Sequence, residues 1–312
     1  MTGASTVPAG YVVPTVSKLY RYPVKGFTPE PCEELVVQDD GRIEGDRVLA
    51  FRFADAATPE EKDGLDYWPK SKGLALMDFP SLARLQVSFD GSVLSFHEDG
   101  ELVVSAGLDP AGRRELCDRI AEWVLDGPDA RRLKKAGRLP LELVGDGVTS
   151  RFQDRPRGFV SLHGAASVKA LGDAANSGGG AGDGAGSGGG GAEQGVRVDV
   201  DSRRFRSNVV VGGLAAWEEL DWADNGTQIQ VGDVPLTAQK TIVRCMAIAA
   251  NPDSGERDAN LLKVLTKDLG QSEPTLGVLF LPPEDSEEDG AAGGGTIRIG
   301  DPVSILRPAR EV

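Results

Sequence analysis

Residues that bind metals in local motifs are scarce in this chain, which has three cysteines and two histidines among 312 residues. Cys32, Cys117 and Cys245 are far apart, and no Cys-x-x-Cys occurs. His97 and His163 have no sequence neighbour that would make either of them a ligand or a base. A zinc site or iron–sulfur cluster built from local motifs is therefore excluded. An odd, widely spaced set of cysteines also argues against a disulfide framework and fits a reducing compartment. Basic residues are in deficit too: 34 Lys and Arg stand against 48 Asp and Glu, for a net charge of −14. That balance opposes nucleic-acid binding and docking on an anionic membrane, both of which need a basic face. No apolar run approaches the ~20 residues that span a bilayer. Residues 1–10 lack the basic and apolar regions of a signal peptide. A soluble, cytoplasmic protein is expected.

What the chain does have is glycine, 41 residues of it, punctuating many short apolar or alternating runs. Val16–Tyr22, Leu85–Phe89, Phe159–Leu162, Val209–Val211, Gln228–Val231, Val234–Ala238, Thr241–Ile248 and Leu276–Leu281 are representative. Turns such as Asp90-Gly91 and Asn225-Gly226 bound most of them. Many strands with few intervening helices predict a mainly β protein with flanking helices, of barrel or sandwich type. Helices are expected at Pro110–Leu125, with Asp109 as N-cap, at Arg257–Leu269, stopped by Gly270, and over Ala165–Leu171. Residues 177–195 are nearly all Gly, Ser and Ala and are read as a disordered insertion. A G-x-G-x-x-G match inside that tract follows no strand and opens no helix, so it is discarded. A second, acidic Gly-rich loop covers 284–295. The expected organisation is a flexible terminus over 1–13, one domain over 14–130 and another over 138–309.

Four basic clusters fall at turns or strand ends: Arg21-Tyr22-Pro23-Val24-Lys25-Gly26, Gly45-Asp46-Arg47, Arg203-Arg204-Phe205-Arg206-Ser207-Asn208 and Val243-Arg244-Cys245. A lone cysteine in an apolar run is ordinarily a small buried hydrophobe. An adjacent arginine favours its thiolate, the form that attacks electrophiles and binds soft metals. If Lys25, Arg47, Arg206 and Arg244 gather around Cys245, they form a charge-assisted site for an anionic cofactor, with Asn208 supplying amide hydrogen bonds. Spacing alone does not establish that they converge.

Several of these segments, in order, resemble one family. Tyr22-Pro23-Val24-Lys25-Gly26 and Gly45-Asp46-Arg47 resemble motifs of the β-barrel domain that precedes MOSC domains, which are named for the C-terminus of molybdenum cofactor sulfurase. Arg204-Phe205-Arg206-Ser207-Asn208 is similar to the MOSC Arg-Phe-Arg-Pro-Asn strand. Trp217-Glu218-Glu219-Leu220, Ile229-Gln230-Val231-Gly232-Asp233, Arg244-Cys245, Asn251-Pro252-Asp253-Ser254-Gly255 and Gly300-Asp301-Pro302-Val303 follow in the family's order. The resemblance runs from Thr15 to Leu306 and implies an N-terminal β-barrel-type domain followed by a MOSC β-barrel, with the site in the cleft between them. In members that reduce amidoximes and N-hydroxylated bases, the matching cysteine coordinates molybdenum and the matching basic residues hold the pterin cofactor. By that resemblance Cys245 is the metal ligand and catalytic centre, and Lys25, Arg47, Arg206, Asn208 and Arg244 line the molybdenum cofactor. Ser167 matches a helix start near the pterin; it reads equally well as a helix-terminus serine.

The implied activity is that of a molybdenum-dependent oxidoreductase reducing small N-hydroxylated substrates, N–OH to N–H plus water. No Cys-rich ferredoxin-type motif occurs in these residues, so electrons are expected from a separate ferredoxin, flavoprotein or cytochrome. Two other readings stay open: a sulfur carrier using a Cys245 persulfide, and a molybdopterin-binding module without turnover. A bare persulfide carrier has little need of Lys25, Arg47 and Arg206 around its thiol. Three departures from the family pattern stand out. Gly26 replaces a usual serine, Ser207 a usual proline, and Val243 occupies a position where some relatives carry a small polar residue.

Overall fold

The computed structural model describes residues 12–62, 64–155, 157–177, 197–283 and 294–307. Most of the expected flexible terminus and of both Gly-rich loops lies outside these residues. The remainder is mainly β with helices packed outside, as the run pattern predicts.

The largest element is an eight-stranded sheet, ordered Val303–Arg307, Gln228–Val231, Val234–Val243, Thr275–Leu281, Val160–Gly164, Val209–Gly212, Thr15–Arg21 and Glu30–Cys32. Val160–Gly164 and Val209–Gly212 pair in parallel at its middle. Both are apolar and almost wholly buried, the pattern of strands covered on two faces. Parallel neighbours need a crossover, and here it contains the helix Ala165–Ser177. The sheet curls so that its ends meet: the Val16 amide donates to the Asp301 carbonyl at 2.9 Å, and the Val303 amide to the Pro14 carbonyl at 2.7 Å.

A second layer contains a three-stranded meander, Leu85–Phe89, Val93–Glu98 and Glu101–Gly107, covered by the helix Pro110–Asp126. Asp109 caps that helix, accepting from the amides of Ala111 and Gly112. Two cores result. One is aromatic-rich, with Phe27, Phe51 and Phe96 rings 5.3–5.9 Å apart. The other is mostly aliphatic and lies inside the curled sheet. The chain crosses between them: Val16, Leu19, Leu35 and Val37 join the second core, and Leu141 and Leu143 join the first.

Two expectations needed correction. The anticipated strand Thr241–Ile248 is cut short: one long strand, Val234–Val243, ends before the cysteine, and Met246–Ala249 form a 3₁₀ turn. The helix expected from Arg257 starts only at Leu261, because Asn260 caps it by accepting from the Lys263 amide at 3.2 Å. Its last turn, Val264–Asp268, widens to π geometry.

Candidate functional site

Cys245 sits where the Val234–Val243 strand runs out. The Arg244 amide donates to the Pro274 carbonyl at 2.7 Å, and Cys245 is the residue before the 3₁₀ turn, its carbonyl accepting from the Ile248 amide at 3.2 Å. The half-buried thiol is thereby fixed from both sides. The Arg244 side chain folds back beneath it, with Nε 2.7 Å from the Leu276 carbonyl and Nη1 2.6 Å from the Phe205 carbonyl. Gly277 makes room for this: its φ is +81°, and a Cβ there would lie 3.0 Å from Arg244 Nη2. Burial pushes the Arg244 pKa down to about 10, against the opposing pull of Cys245.

Cys245 and Arg244 line a cavity of about 700 Å³ whose wall also includes Lys25, Arg47 and Arg206. Five of the predicted residues therefore converge, drawn from segments more than 200 positions apart. Ten lysines and arginines line this cavity against one carboxylate, Asp154. In a chain of net charge −14 that is a local reversal of sign.

The wall residues are held in different ways. Arg47 and Arg206 both have left-handed backbones, φ 53° and 54°, a conformation costly for a residue with a Cβ and tolerated where surrounding contacts impose it. Both guanidinium groups lie against the ring of fully buried Tyr22, 4.9 and 4.5 Å from its centroid. Arg47 pairs with buried Asp46 and donates to the Arg206 carbonyl at 3.3 Å. Arg206 donates Nη1 to the Phe27 carbonyl, while its Nε and Nη2 have no protein partner among the described residues. Lys25 is saturated, donating to the carbonyls of Phe152 at 3.0 Å and Gln153 at 2.9 Å and to Asp154 at 2.8 Å. Burial lowers its pKa, and Asp154 partly restores it. Lys25 thus anchors the 152–154 segment to the cavity.

Asn208 and Ser167 are not among the lining residues. The Asn208 amide is wholly buried and internally matched, donating to the Tyr20 carbonyl at 3.1 Å and Asp46 at 3.2 Å and accepting from Ser161 at 2.7 Å. It meets the cavity through Ser161, and through Asp46 it is tied to Arg47. Ser167, also fully buried, donates to Glu219 at 2.8 Å and accepts from the Trp217 amide at 2.8 Å. It ties the start of helix Ala165–Ser177 to the turn before helix Glu218–Asp224. His163 is buried behind the wall, edge-on to Phe205 at 5.7 Å, with neither ring nitrogen hydrogen-bonded.

The departures have physical readings. Gly26 has φ +85°, and a Cβ there would lie 2.4 Å from the Leu74 carbonyl, so no serine fits. Ser207 is buried with its hydroxyl unmatched, while its carbonyl accepts from the Tyr22 hydroxyl at 3.3 Å. Val243 is half-exposed and lines the cavity.

Sequence reasoning missed half of the basic lining: Lys62, Lys70, Arg155, Arg157 and Lys240. Arg151, Arg155 and Arg157 crowd one short segment of an acidic chain, and that density was the available signal. Lys62 is placed by the hairpin Glu60–Lys62/Leu65–Tyr67, whose polar strands carry no apolar alternation to reveal them.

The MOSC domain family matches residues 190–304, which contain Arg206, Arg244 and Cys245. Residues 190–304 thus carry a MOSC domain. The chain is 29% identical over 108 residues to mitochondrial amidoxime-reducing component 1 of Mus musculus, covering 34% of this chain and 31% of that protein. It is 30% identical over 109 residues to mitochondrial amidoxime reducing component 2 of Rattus norvegicus, covering 32% of this chain and 28% of that one. The chain thus spans less than a third of these curated relatives. The YUAD protein from Bacillus subtilis aligns over 94% of each chain with 10% identity and a TM-score of 0.35. Among the described residues no helix is long and apolar enough to cross a membrane.

Proposed function

We propose that the cavity binds the molybdenum cofactor with the Cys245 thiolate as metal ligand, and that the protein reduces N-hydroxylated compounds with electrons from a separate donor protein. The observation that carries this reading is the convergence of Cys245 with Lys25, Arg47, Arg206 and Arg244 on one basic cavity. The residues present fit the group. A volume of about 700 Å³ lies within the range that holds cofactors. The uncommitted Nε–Nη2 edge of Arg206 suits bidentate contact with a phosphate, and a cysteine thiolate is a soft donor suited to molybdenum.

When bound, the cofactor supplies two-electron redox chemistry at a metal held by sulfur ligands. The net reaction takes two electrons and two protons into N–OH and releases N–H and one water. The chain orients and tunes. Arg244, braced on two backbone carbonyls, sets a fixed positive charge beside the thiol. Arg47 and Arg206 are fixed by Tyr22 and Asp46, so they need little reorganisation to receive an anion. Lys25 holds the 152–154 segment in place. Asn208 and Ser167 are positioning residues in this reading, bracing Ser161 and the helix start behind the wall. The two sequence domains, 14–130 and 138–309, both supply lining residues.

Molybdenum and pterin content of protein made in a host that synthesises the cofactor, wild type beside Cys245→Ala, tests this. Near-stoichiometric metal in the wild type and its loss in the variant are expected, together with amidoxime reduction by the wild type alone. Metal-free wild type would overturn the reading.

A further inference from the structure

Most of the cavity's basic side chains fall into two groups, and one of them makes no ion pair or hydrogen bond with the described residues. Arg47, Arg204, Arg244 and Lys25 each bind a carboxylate or backbone carbonyl. Lys62, Lys70, Arg155, Arg157 and Lys240 line the same cavity and form no ion pair with any described residue. That is unexpected on a surface where acids outnumber bases 48 to 34, because an unconstrained basic side chain there would readily find a carboxylate. Three of them are close enough to repel: burial lowers the Lys240 pKa, and the charges of Arg155 and Lys62 lower it further. Lys240 Nζ lies 5.6 Å from the Phe159 ring centroid, and exposed Leu65 and Val243 share the lining. Mutually repelling cations beside an aromatic ring and aliphatic side chains suit an organic molecule with an anionic end.

Resting on the reading above, we propose that the substrate carries a phosphate or carboxylate remote from the reduced N–OH group. Lys62, Arg155, Arg157 and Lys240 hold that anion at the cavity mouth. Lys62, Arg155, Arg157 and Lys240 are exposed, whereas Arg206 is half-buried with its free edge available to a cofactor phosphate. The two anion-binding tasks therefore fall to different residues. A contact remote from the reacting bond is made equally in ground state and transition state, so it lowers KM and leaves kcat unchanged.

The test compares benzamidoxime with its 4-carboxy and 4-phosphonooxy derivatives as substrates of the molybdenum-loaded protein, reduced by methyl viologen. At least one anionic derivative is expected to show a KM about tenfold below that of the neutral parent, and the two derivatives separate carboxylate from phosphate. That advantage should vanish in Lys62→Gln/Lys240→Gln and in Arg155→Gln/Arg157→Gln, with the neutral substrate unaffected. Titration calorimetry with 4-carbamoylbenzoate against benzamide reads the same preference without turnover. Equal KM values for all three substrates would overturn the proposal. So would rim substitutions that slow turnover with reduced ferredoxin but not with methyl viologen, which would assign the rim to an acidic partner protein. A nucleotide released from the extracted cofactor would assign it instead to an extended cofactor. Failure of the reductase reading shows separately, as absence of molybdenum and of any amidoxime reduction while calorimetry still reports anion binding.

Discussion

The wall and the mouth of the cavity carry similar numbers of positive charges and handle them in opposite ways. On the wall most charges are matched: Arg47 by Asp46, Arg204 by Asp258, Lys25 by Asp154, and Arg244 by two carbonyls, while Arg206 gives only Nη1 to a carbonyl. At the mouth Lys62, Arg155, Arg157 and Lys240 form no ion pair with the described residues. Solvation explains the contrast. A buried guanidinium without a partner costs several kcal/mol, whereas an exposed ammonium remains hydrated and costs little. The wall is consequently part of the fold, and its charges cannot be removed without destabilising it. The mouth can be altered freely and is where selection can act on ligand choice.

Asp46 is the most sensitive point of that contrast. It is 2% exposed, pairs with Arg47, and also accepts from the Tyr22 amide at 2.9 Å and the Asn208 side chain at 3.2 Å. Asp46→Ala leaves a buried arginine unpaired and two donors unmatched, so a loss of about 3–5 kcal/mol is expected. A fall in the urea midpoint at unchanged m-value would register it.

Next comes a group behind the wall that stays uncharged. Burial, reinforced by Arg244 and Lys18, drives the His163 pKa down to about 3, against ~6.5 unfolded. Between these values the unfolded chain binds more protons, so stability is intact above pH ~6.5 and is lost as pH falls toward 3. The whole contribution is on the order of 5 kcal/mol. Other carboxylates titrate in the same window, so the informative quantity is the difference between wild type and His163→Leu. The variant's stability should decline less steeply with acid, and parallel profiles would show that His163 is charged or hydrated in the native protein.

Legibility in the sequence follows the same division. The strands with strong apolar runs, the Asp109-capped helix and the basic clusters next to glycine turns could all be read, and five of the seven expected site residues meet at the cavity. Ser167 and Asn208 looked alike in sequence, polar residues beside a strand or helix end. Their roles depend on Glu219, Asp46 and Ser161, distant partners that no local pattern reveals. The mouth was the least legible part, since Lys62 lies on a polar hairpin and Lys240 on a strand position next to an irregularity in pairing. The early end of the strand before Cys245 also escaped notice, because Met246–Ala249 is apolar enough to read as its continuation.

Ser167 separates positioning from direct cofactor contact. Ser167→Ala leaves Glu219 and the Trp217 amide each short of a buried partner, so a loss of about 1–3 kcal/mol is expected. Molybdenum content of the folded fraction should stay at the wild-type level. A variant with wild-type stability but depleted metal would put Ser167 at the cofactor itself.

The smallest expected change is at the mouth. Lys240 is exposed and makes no ion pair with the described residues, so Lys240→Gln forfeits only a weak contact with Phe159 and relieves repulsion from Arg155 and Lys62. These effects oppose each other, and the net change should lie within about 0.5 kcal/mol. Added salt should narrow even that difference, because the repulsion it relieves is screened beyond ~8 Å at physiological ionic strength. Thermal unfolding of wild type and variant at low and high salt measures both quantities. A loss comparable to that of Asp46→Ala would mean that the mouth, like the wall, is built into the fold, and the distinction between the two regions would fail.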